Sequence, residues 1–291
     1  MKFTMRMAWL VALGLSTLAG CAVLDEKQRN WIFQPGDRSW GSSASYADGM
    51  QHLWIPFDSR ITGKPVKLHA LFHAADANGA NGQASATPVL LYLHGARWNV
   101  EGSSARIRRM QELGFSVLAI DYRGFGKTSA ELPSEDMAYE DARAAWDWMA
   151  GQYPDRPRFI FGHSLGGAIA INLAAQVPDE SGTIVEGTFT SIADVFGSLK
   201  WGWLPIGGLI TQPFDAASKV ARIGSPLLVV HGSEDNTIKP ELGRRLFEVA
   251  QQPKAFVLVD GGSHFSTNSV GHGLYREAMA RLFGTKRVLP P

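Results

Sequence analysis

The sequence predicts an α/β fold in which a mostly parallel central sheet is covered by helices on both faces. Short, wholly apolar runs such as Val89 to Leu93 alternate with helical patterns such as the one from Ser134 to about Gln152. Apolar runs of this kind are typical of strands that are buried on both faces of a parallel sheet. One strand leads directly into Gly162-His163-Ser164-Leu165-Gly166, after which a small-residue helical pattern begins. Polar residues recur just after the strands, where such sheets bind ligands.

The other elements follow from the same patterns. A hairpin is predicted at the start of the domain, because two β-like runs flank the turn Thr62-Gly63-Lys64. Arg106, Arg108 and Arg109 are expected to point outward from their helix. The predicted strands are 54–57, 66–72, 89–93, 115–120, 158–161, 183–185, 227–230 and 255–259. The predicted helices are 103–113, 135–152, 169–177, 241–250 and 275–283, with stops at Gly114 and before Pro178.

Residues 1–20 have the pattern of a secretory signal. Two basic residues precede an apolar run from Met7 to Leu18, which is too short for a comfortable membrane span. The sequence Leu18-Ala19-Gly20-Cys21 resembles the lipobox of bacterial lipoproteins, and Cys21 is the only cysteine. The resemblance implies cleavage before Cys21 and lipidation there. In lipoproteins of bacteria with two membranes, an aspartate directly after the cysteine is the signal for retention in the inner membrane. Ala22 occupies this position, so the resemblance implies a location at the periplasmic face of an outer membrane. An ordinary signal peptide and a retained anchor stay open as alternatives.

Composition limits the remaining possibilities. The net charge is +1, so no basic field for nucleic acid is expected. Residues 21–48 are polar and predict an irregular, lipidated tether, on which Trp31-Ile32-Phe33 could dock against the domain. Residues 49–291 then form the folded domain. His94 and His231 lie in His-Gly turns and are expected to be structural or pocket-lining residues instead of metal ligands, since no pair at metal-ligand spacing occurs. No cofactor is predicted.

The segment around Ser164 has the chemistry of a nucleophile elbow. Gly-x-Ser-x-Gly between a strand and a helix places the serine on a strained turn with its hydroxyl clear of the sheet. Gly162 and Gly166 are required because a Cβ at either position would crowd that turn. The helix that follows presents free N–H groups at the reacting centre.

Two further strand ends supply the partners that a serine nucleophile needs. Asp235 follows the run Leu227 to Val230, and His264 follows the last strand. A serine, a base that takes its proton and a carboxylate that orients the base form the set required for acyl transfer. From the residues alone, three other carboxylates compete with Asp235 for the acidic role, namely Glu186, Glu234 and Asp260.

After about residue 50 the chain resembles the α/β-hydrolase superfamily, in particular its small serine-aminopeptidase-like and monoacylglycerol-lipase-like members. The motifs that carry the resemblance are His94-Gly95, Asp121-Tyr122-Arg123-Gly124-Phe125-Gly126, Gly162-His163-Ser164-Leu165-Gly166, His231-Gly232-Ser233-Glu234-Asp235 and Gly262-Ser263-His264. The resemblance implies that Ser164 is the nucleophile, Asp235 the acid and His264 the base. It also implies that the backbone N–H groups of Ala96 and Leu165 form an oxyanion hole, and that the motif from Asp121 is a structural turn.

In this superfamily the segment at about 190–222 is a cap over the active site. Here it is rich in aromatic and aliphatic residues with glycine breaks, which implies an apolar pocket; covering the core is the alternative explanation. The expected function is hydrolysis of a small-molecule carboxylic ester with an apolar moiety, through an acyl-enzyme. Thioesterase, lysophospholipase and peptidase activity stay open, as does a non-catalytic surface-binding lipoprotein. Peptide cleavage ranks below ester cleavage because residues 195–214 contain no acid for a substrate amine.

Overall fold

The protein was studied as a computed structural model, which describes residues 20–38, 47–75, 87–199, 202–204 and 207–284. Most of the predicted signal lies outside these residues. Within them, no helix is both long and apolar enough to cross a membrane.

An eight-stranded sheet forms the centre of the molecule, with the strand order β1-β2-β4-β3-β5-β6-β7-β8. The two antiparallel pairs are β1 with β2 and β2 with β4, and all other neighbours are parallel. The predicted fold class and the lead-in hairpin are therefore confirmed. The strands are β1 (Gln51–Asp58), β2 (Pro65–His73), β3 (Val89–Leu93), β4 (Ser116–Ile120), β5 (Arg158–His163), β6 (Gly182–Glu186), β7 (Leu227–Gly232) and β8 (Lys254–Val259).

Helices cover both faces of this sheet. They are α1 (residues 20–33), α2 (Ser104–Glu112), α3 (Glu135–Gln152), α4 (Leu165–Ala174), α5 (Ile192–Gly197), α6 (Ala217–Val220), α7 (Pro240–Val249), α8 (Thr267–Val270) and α9 (His272–Phe283). Apolar side chains of α3, α4 and α7 pack into the core on one face, and those of α2 and α9 into the core on the other. The strands between the two layers are wholly buried in β3 to β7, apart from the first residue of β5, which is why they read as continuous apolar runs.

The prediction of an irregular tether from Ala22 is wrong for residues 22–33, which are helical. Leu24, Gln28, Trp31 and Ile32 are spaced at i, i+4, i+7 and i+8 and share one helix face. The expected docking of Trp31-Ile32-Phe33 is observed. Ile32 is buried and Phe33 is fully buried, where its ring packs against the rings of Phe125 and Phe214. The segment after residue 20 is therefore part of the folded domain.

Candidate active site

Ser164 lies at the tip of β5, directly before α4, in a left-handed backbone conformation with φ of 55°. This conformation is costly for a residue with a side chain and is held by close packing of the flanking glycines. A Cβ on Gly162 would lie 2.2 Å from the carbonyl oxygen of Gly166. A Cβ on Gly166 would lie 2.2 Å from the carbonyl oxygen of Leu93 on the neighbouring strand. The turn therefore has the geometry that the sequence motif predicts.

The structure brings Ser164, His264 and Asp235 into one hydrogen-bonded row. The Nε2 atom of His264 lies 3.0 Å from Oγ of Ser164, and its Nδ1 atom lies 2.7 Å from Oδ2 of Asp235. The imidazole thus touches the hydroxyl with one nitrogen and the carboxylate with the other. This is the geometry in which a histidine can take the serine proton while a carboxylate stabilises the resulting imidazolium.

Asp235 is buried at the end of β7 and is held from several sides. Its Oδ1 atom accepts backbone hydrogen bonds from Thr237 at 2.9 Å and from Ile238 at 2.8 Å. Burial raises the pKa of this carboxyl, but hydrogen bonds from His231 and His264 outweigh burial and hold the pKa well below its usual range. Asp235 is therefore ionised at neutral pH and oriented toward His264.

The rival carboxylates are placed elsewhere. Glu234 and Asp260 are exposed, and an oxygen of Asp260 accepts a hydrogen bond from Ser233. Glu186 is fully buried at the end of β6, but its carboxylate binds Arg106 and the hydroxyl of Tyr275. Among the four candidates, the carboxylate in contact with the imidazole of His264 is that of Asp235.

The expectation that Arg106 points outward is wrong. Its guanidinium Nε lies 3.0 Å from Oε1 of the buried Glu186, and its side chain is only 11% exposed. Burial lowers the pKa of Arg106, yet the adjacent carboxylate of Glu186 more than compensates and raises it. A second bond reaches the carbonyl oxygen of Phe265, next to His264. The ion pair of Arg106 and Glu186 therefore lies beside the loop that carries His264, which we call the histidine loop. No local helical pattern reveals this pair, because Glu186 is 80 residues away in the chain.

His163 is a second residue whose position sequence reasoning did not anticipate. Its Nε2 atom donates a hydrogen bond of 3.0 Å to the backbone carbonyl of His264. Burial, followed by the charges of Arg106 and His264, lowers the pKa of His163 well below its usual range. It is therefore neutral at pH 7 and fixes the backbone of the histidine loop. His231 likewise supports Asp235, with its Nε2 atom 3.4 Å from Oδ2, in keeping with the structural role expected for it.

Ala96 and Leu165 carry the backbone N–H groups that the sequence predicts for an oxyanion hole. Leu165 is the first residue of α4, and Ala96 belongs to the loop after β3. Both line the same cleft as Ser164 and His264. The next residue, Arg97, has φ of 87°, and its N–H donates a hydrogen bond of 2.9 Å to the carbonyl oxygen of Phe33. The loop that carries Ala96 is thus fastened to the end of α1.

The cleft over Ser164 has a volume of about 480 Å³ and is lined by both apolar and cationic residues. Ile32 and the cap supply apolar residues, and three arginines are also among the lining residues. Among the described residues that line it there is no aspartate or glutamate. The apolar lining residues from the cap are Phe189, Ile192, Val195 and Leu199, and the arginines are Arg97, Arg106 and Arg109.

The cap contains α5, a turn of 3₁₀ helix at Gly207–Leu209, and α6. Trp203 is 73% exposed, whereas Phe214 is fully buried. The cap therefore both lines the cleft and covers core, so the two explanations of its composition are each correct for some residues. Trp201, Pro205 and Ile206 lie outside the described residues. Across the described chain, no cluster of three or more His, Cys, Asp or Glu side chains is placed to hold a metal ion.

This sheet order, with Ser164 on a strained strand-to-helix turn and His264 and Asp235 at neighbouring strand ends, defines the α/β-hydrolase class. The family model described as "Serine aminopeptidase, S33" matches residues 84–210. The chain thus has the α/β-hydrolase fold, and over residues 84–210 it is similar in sequence to this family. The esterase Pf2001 of Pyrococcus furiosus shares this fold, with a TM-score of 0.64 at 18% identity over 86% of this chain and 99% of that chain.

Two relatives in sequence each match about three fifths of the chain. An uncharacterised protein of Mycobacterium tuberculosis is 36% identical over 179 residues, which are 61% of this chain and 63% of the relative. The lysophosphatidylserine lipase ABHD12 of Rattus norvegicus is 30% identical over 192 residues, which are 60% of this chain and 48% of the relative. The chain therefore spans between about half and two thirds of the length of these relatives.

Proposed function

We propose that the protein is a serine hydrolase that cleaves carboxylic esters through an acyl-enzyme. The observation that carries the proposal is the bridging position of His264, 3.0 Å from Oγ of Ser164 and 2.7 Å from the carboxylate of Asp235. In the first step His264 takes the proton of Ser164 as Oγ attacks the ester carbonyl carbon. The N–H groups of Ala96 and Leu165 stabilise the resulting oxyanion. Collapse of the intermediate expels the alcohol, which receives the proton from His264.

The second half of the reaction uses the same groups in reverse. His264 takes a proton from water, the hydroxide attacks the acyl carbon, and Ser164 leaves with the proton returned from His264.

Within the described part of the chain neither the N–H of Ala96 nor that of Leu165 has a hydrogen-bond partner, so both are free for the oxyanion. A thioester would be attacked by the same route.

The lining of the cleft favours an ester over a peptide. A free substrate amine is commonly bound by a carboxylate, and the described lining residues include none. The cap residues and Ile32 instead offer an apolar surface to an acyl or alcohol group. An ester with an apolar part therefore fits the cleft better than an aminoacyl peptide does.

A lysophospholipid is the second candidate substrate, and the arginines favour it. Arg106 is neutralised by Glu186, but Arg97 and Arg109 have no ion-pair partner among the described residues. A guanidinium binds phosphate or carboxylate oxygens through a pair of hydrogen bonds. An ester that joins an apolar chain to an anionic group could thus contact both the apolar residues and the arginines of the cleft. The lysophosphatidylserine lipase among the relatives acts on a compound of this class.

A fluorophosphonate probe and a panel of p-nitrophenyl esters test the proposal. The wild type should be labelled and should hydrolyse the esters, and Ser164→Ala should lose both properties. Aminoacyl anilides are the comparison substrates, and faster cleavage of anilides would replace the esterase assignment with a peptidase. A folded wild type that is neither labelled nor active would indicate a non-catalytic binding protein.

We further propose that the mature chain begins at Cys21 and carries a lipid there, which holds it at the periplasmic face of an outer membrane. The lipobox-like sequence Leu18-Ala19-Gly20-Cys21 supports this proposal, and the thiol of Cys21 is exposed at the start of α1. Acyl chains add about 0.8 kcal/mol of membrane affinity per buried methylene, and durable anchoring takes more than one chain.

A further inference from the structure

A second groove adjoins the active-site cleft and lies between α1 and the cap. Its volume is about 270 Å³, and its exposed wall is apolar. Trp31, Ile32 and Ile192 line both this groove and the cleft over Ser164, so the two spaces share a wall. Beyond the shared wall the groove is lined by side chains from both elements, among them Leu24, Phe196 and Ile210. We call it the helix–cap groove.

The walls of the helix–cap groove are fixed by polar contacts at its edge. Gln28 donates a hydrogen bond of 2.6 Å to the carbonyl oxygen of Leu209 and accepts one of 2.9 Å from the backbone N–H of Thr211. Gln212 donates a hydrogen bond of 2.8 Å to the carboxylate of Asp25. These bonds join α1 to a segment that lies more than 180 residues later in the chain. The position of α1 relative to the cap, and with it the helix–cap groove, is therefore fixed by specific hydrogen bonds.

Arg29 fixes the other side of the helix. Its guanidinium donates hydrogen bonds to the backbone carbonyls of Leu132 and Pro133, in the loop that precedes α3. Together with the burial of Phe33, these contacts hold α1 in place next to the cleft. A segment that serves only to separate a lipid from a domain has no need of such contacts.

We infer that the helix–cap groove binds the distal part of the acyl chain of the substrate. The inference rests on the proposed esterase function and adds a subsite to it. The occupant is assigned by continuity, since the groove shares Trp31, Ile32 and Ile192 with the cleft that contains Ser164. An acyl chain bound to Ser164 passes along this shared wall and enters a space whose lining offers it apolar contact only. Short acyl chains end within the cleft and do not use the groove.

The groove gives the enzyme a preference for acyl length. Each methylene that moves from water to an apolar wall favours binding about fourfold. The value of kcat/KM should therefore continue to rise from butyrate to dodecanoate esters, and the rise should depend on α1 as well as on the cap. Cys21 lies in the first turn of the described part of α1, so the proposed lipidation site and the residues proposed to bind the chain belong to one helix.

The experiment measures kcat/KM for monomeric p-nitrophenyl butyrate, octanoate and dodecanoate with the full mature chain. Leu24→Trp and Ile210→Trp fill the groove, and we expect the dodecanoate-to-butyrate ratio to fall about tenfold or more in each. Leu24→Gln is a second variant of nearly equal volume, chosen because Leu24 is 37% exposed and tolerates a polar group there. Val23→Trp is the matched control, since Val23 is 56% exposed on the same helix and does not line the groove.

The outcomes separate this inference from the proposed function. An unchanged ratio in the Leu24 and Ile210 variants would overturn the groove assignment, while Ser164-dependent butyrate hydrolysis would leave the esterase proposal intact. An equal fall of the ratio in Val23→Trp would assign chain-length preference to the outer surface of the helix instead. Absence of ester hydrolysis in the wild type would mean that the function itself is wrong.

Discussion

The carbonyl oxygen of Phe33 accepts a hydrogen bond from the backbone N–H of Arg97 at 2.9 Å. This bond connects the last turn of α1 to the loop that carries Ala96. Asn99 adds two further links, because its N–H donates to the carbonyl of Arg38 and its side-chain amide donates to Asp37. The segment that follows the predicted lipidation site thus holds the loop that would supply one oxyanion donor.

Arg97→Gly separates the backbone role of Arg97 from the role of its charge. Glycine keeps the N–H and accepts φ of 87° without strain, whereas arginine pays about 1 kcal/mol there. We expect the melting temperature to stay the same or rise, since this relief offsets the greater freedom of glycine in the unfolded chain. The ratio of activity on a lysophospholipid to that on a monoacylglycerol of equal chain length should fall about tenfold.

Arg60→Gln is the matched control for that loss of charge, because Arg60 is exposed and does not line the cleft. Its substrate ratio should equal that of the wild type. If Arg97→Gly leaves the ratio unchanged, the arginine does not select an anionic group.

Asp235→Asn tests the orientation of His264, the proposed catalytic base. The amide oxygen can still accept the N–H groups of Thr237 and Ile238, so the turn should remain folded. The amide nitrogen then faces Nδ1 of His264 as a donor, which favours the wrong tautomer of the imidazole. We expect kcat to fall by about three to four orders of magnitude. Glu234→Gln, one residue earlier and exposed, should stay within about twofold of the wild type in the same assay.

His163→Gln tests the buried imidazole below the histidine loop. The pKa of His163 is lowered in the folded protein, so the folded state resists a proton that the unfolded state takes up near pH 6.5. The free energy of unfolding should consequently fall as the pH drops below about 6.5, by up to about 1.4 kcal/mol per pH unit for this proton. Glutamine can still donate to the carbonyl of His264 but does not titrate, so the variant should show a shallower slope.

Urea unfolding between pH 7 and pH 5 measures this difference. His94, whose pKa is also lowered by burial, remains in the variant and should maintain part of the slope. Equal slopes for wild type and His163→Gln would show that His163 is not a source of the pH dependence.

Cys21→Ser tests the proposed anchor. In cells that express the full chain, the wild type should be processed, should partition with membranes and should be extracted by detergent. The serine variant should alter processing and weaken the partition, because serine cannot form the thioether that carries the lipid. Identical solubility of the two forms would favour an ordinary secretory signal.

Much of the fold follows from the sequence, since local patterns carry the necessary information. The apolar runs β3 to β7 are buried on both faces and therefore appear as strands without reference to the rest of the chain. Gly162 and Gly166 identify the elbow because a Cβ would collide with backbone at both positions. Ser164, His264 and a set of four carboxylates that includes Asp235 could be named because each follows a strand, and the carboxyl ends of parallel strands meet at one edge of a sheet. The choice of Asp235 among the four came from the family resemblance.

Only the tertiary structure decided which residues surround Ser164, His264 and Asp235. Four carboxylates were compatible with the sequence, and Asp235 was selected by a contact with His264 across 29 residues. Arg106 was misplaced because its partner Glu186 belongs to a distant strand, and pairing of this kind leaves no trace in the helical pattern of α2. The helix from residue 20 to residue 33 was missed because an unbroken polar run from Asp25 to Asn30 interrupts its apolar residues. Its apolar face becomes evident only when the cap packs beside it. The sequence determines local conformation and the chemistry that is available, whereas packing between distant segments determines which groups meet.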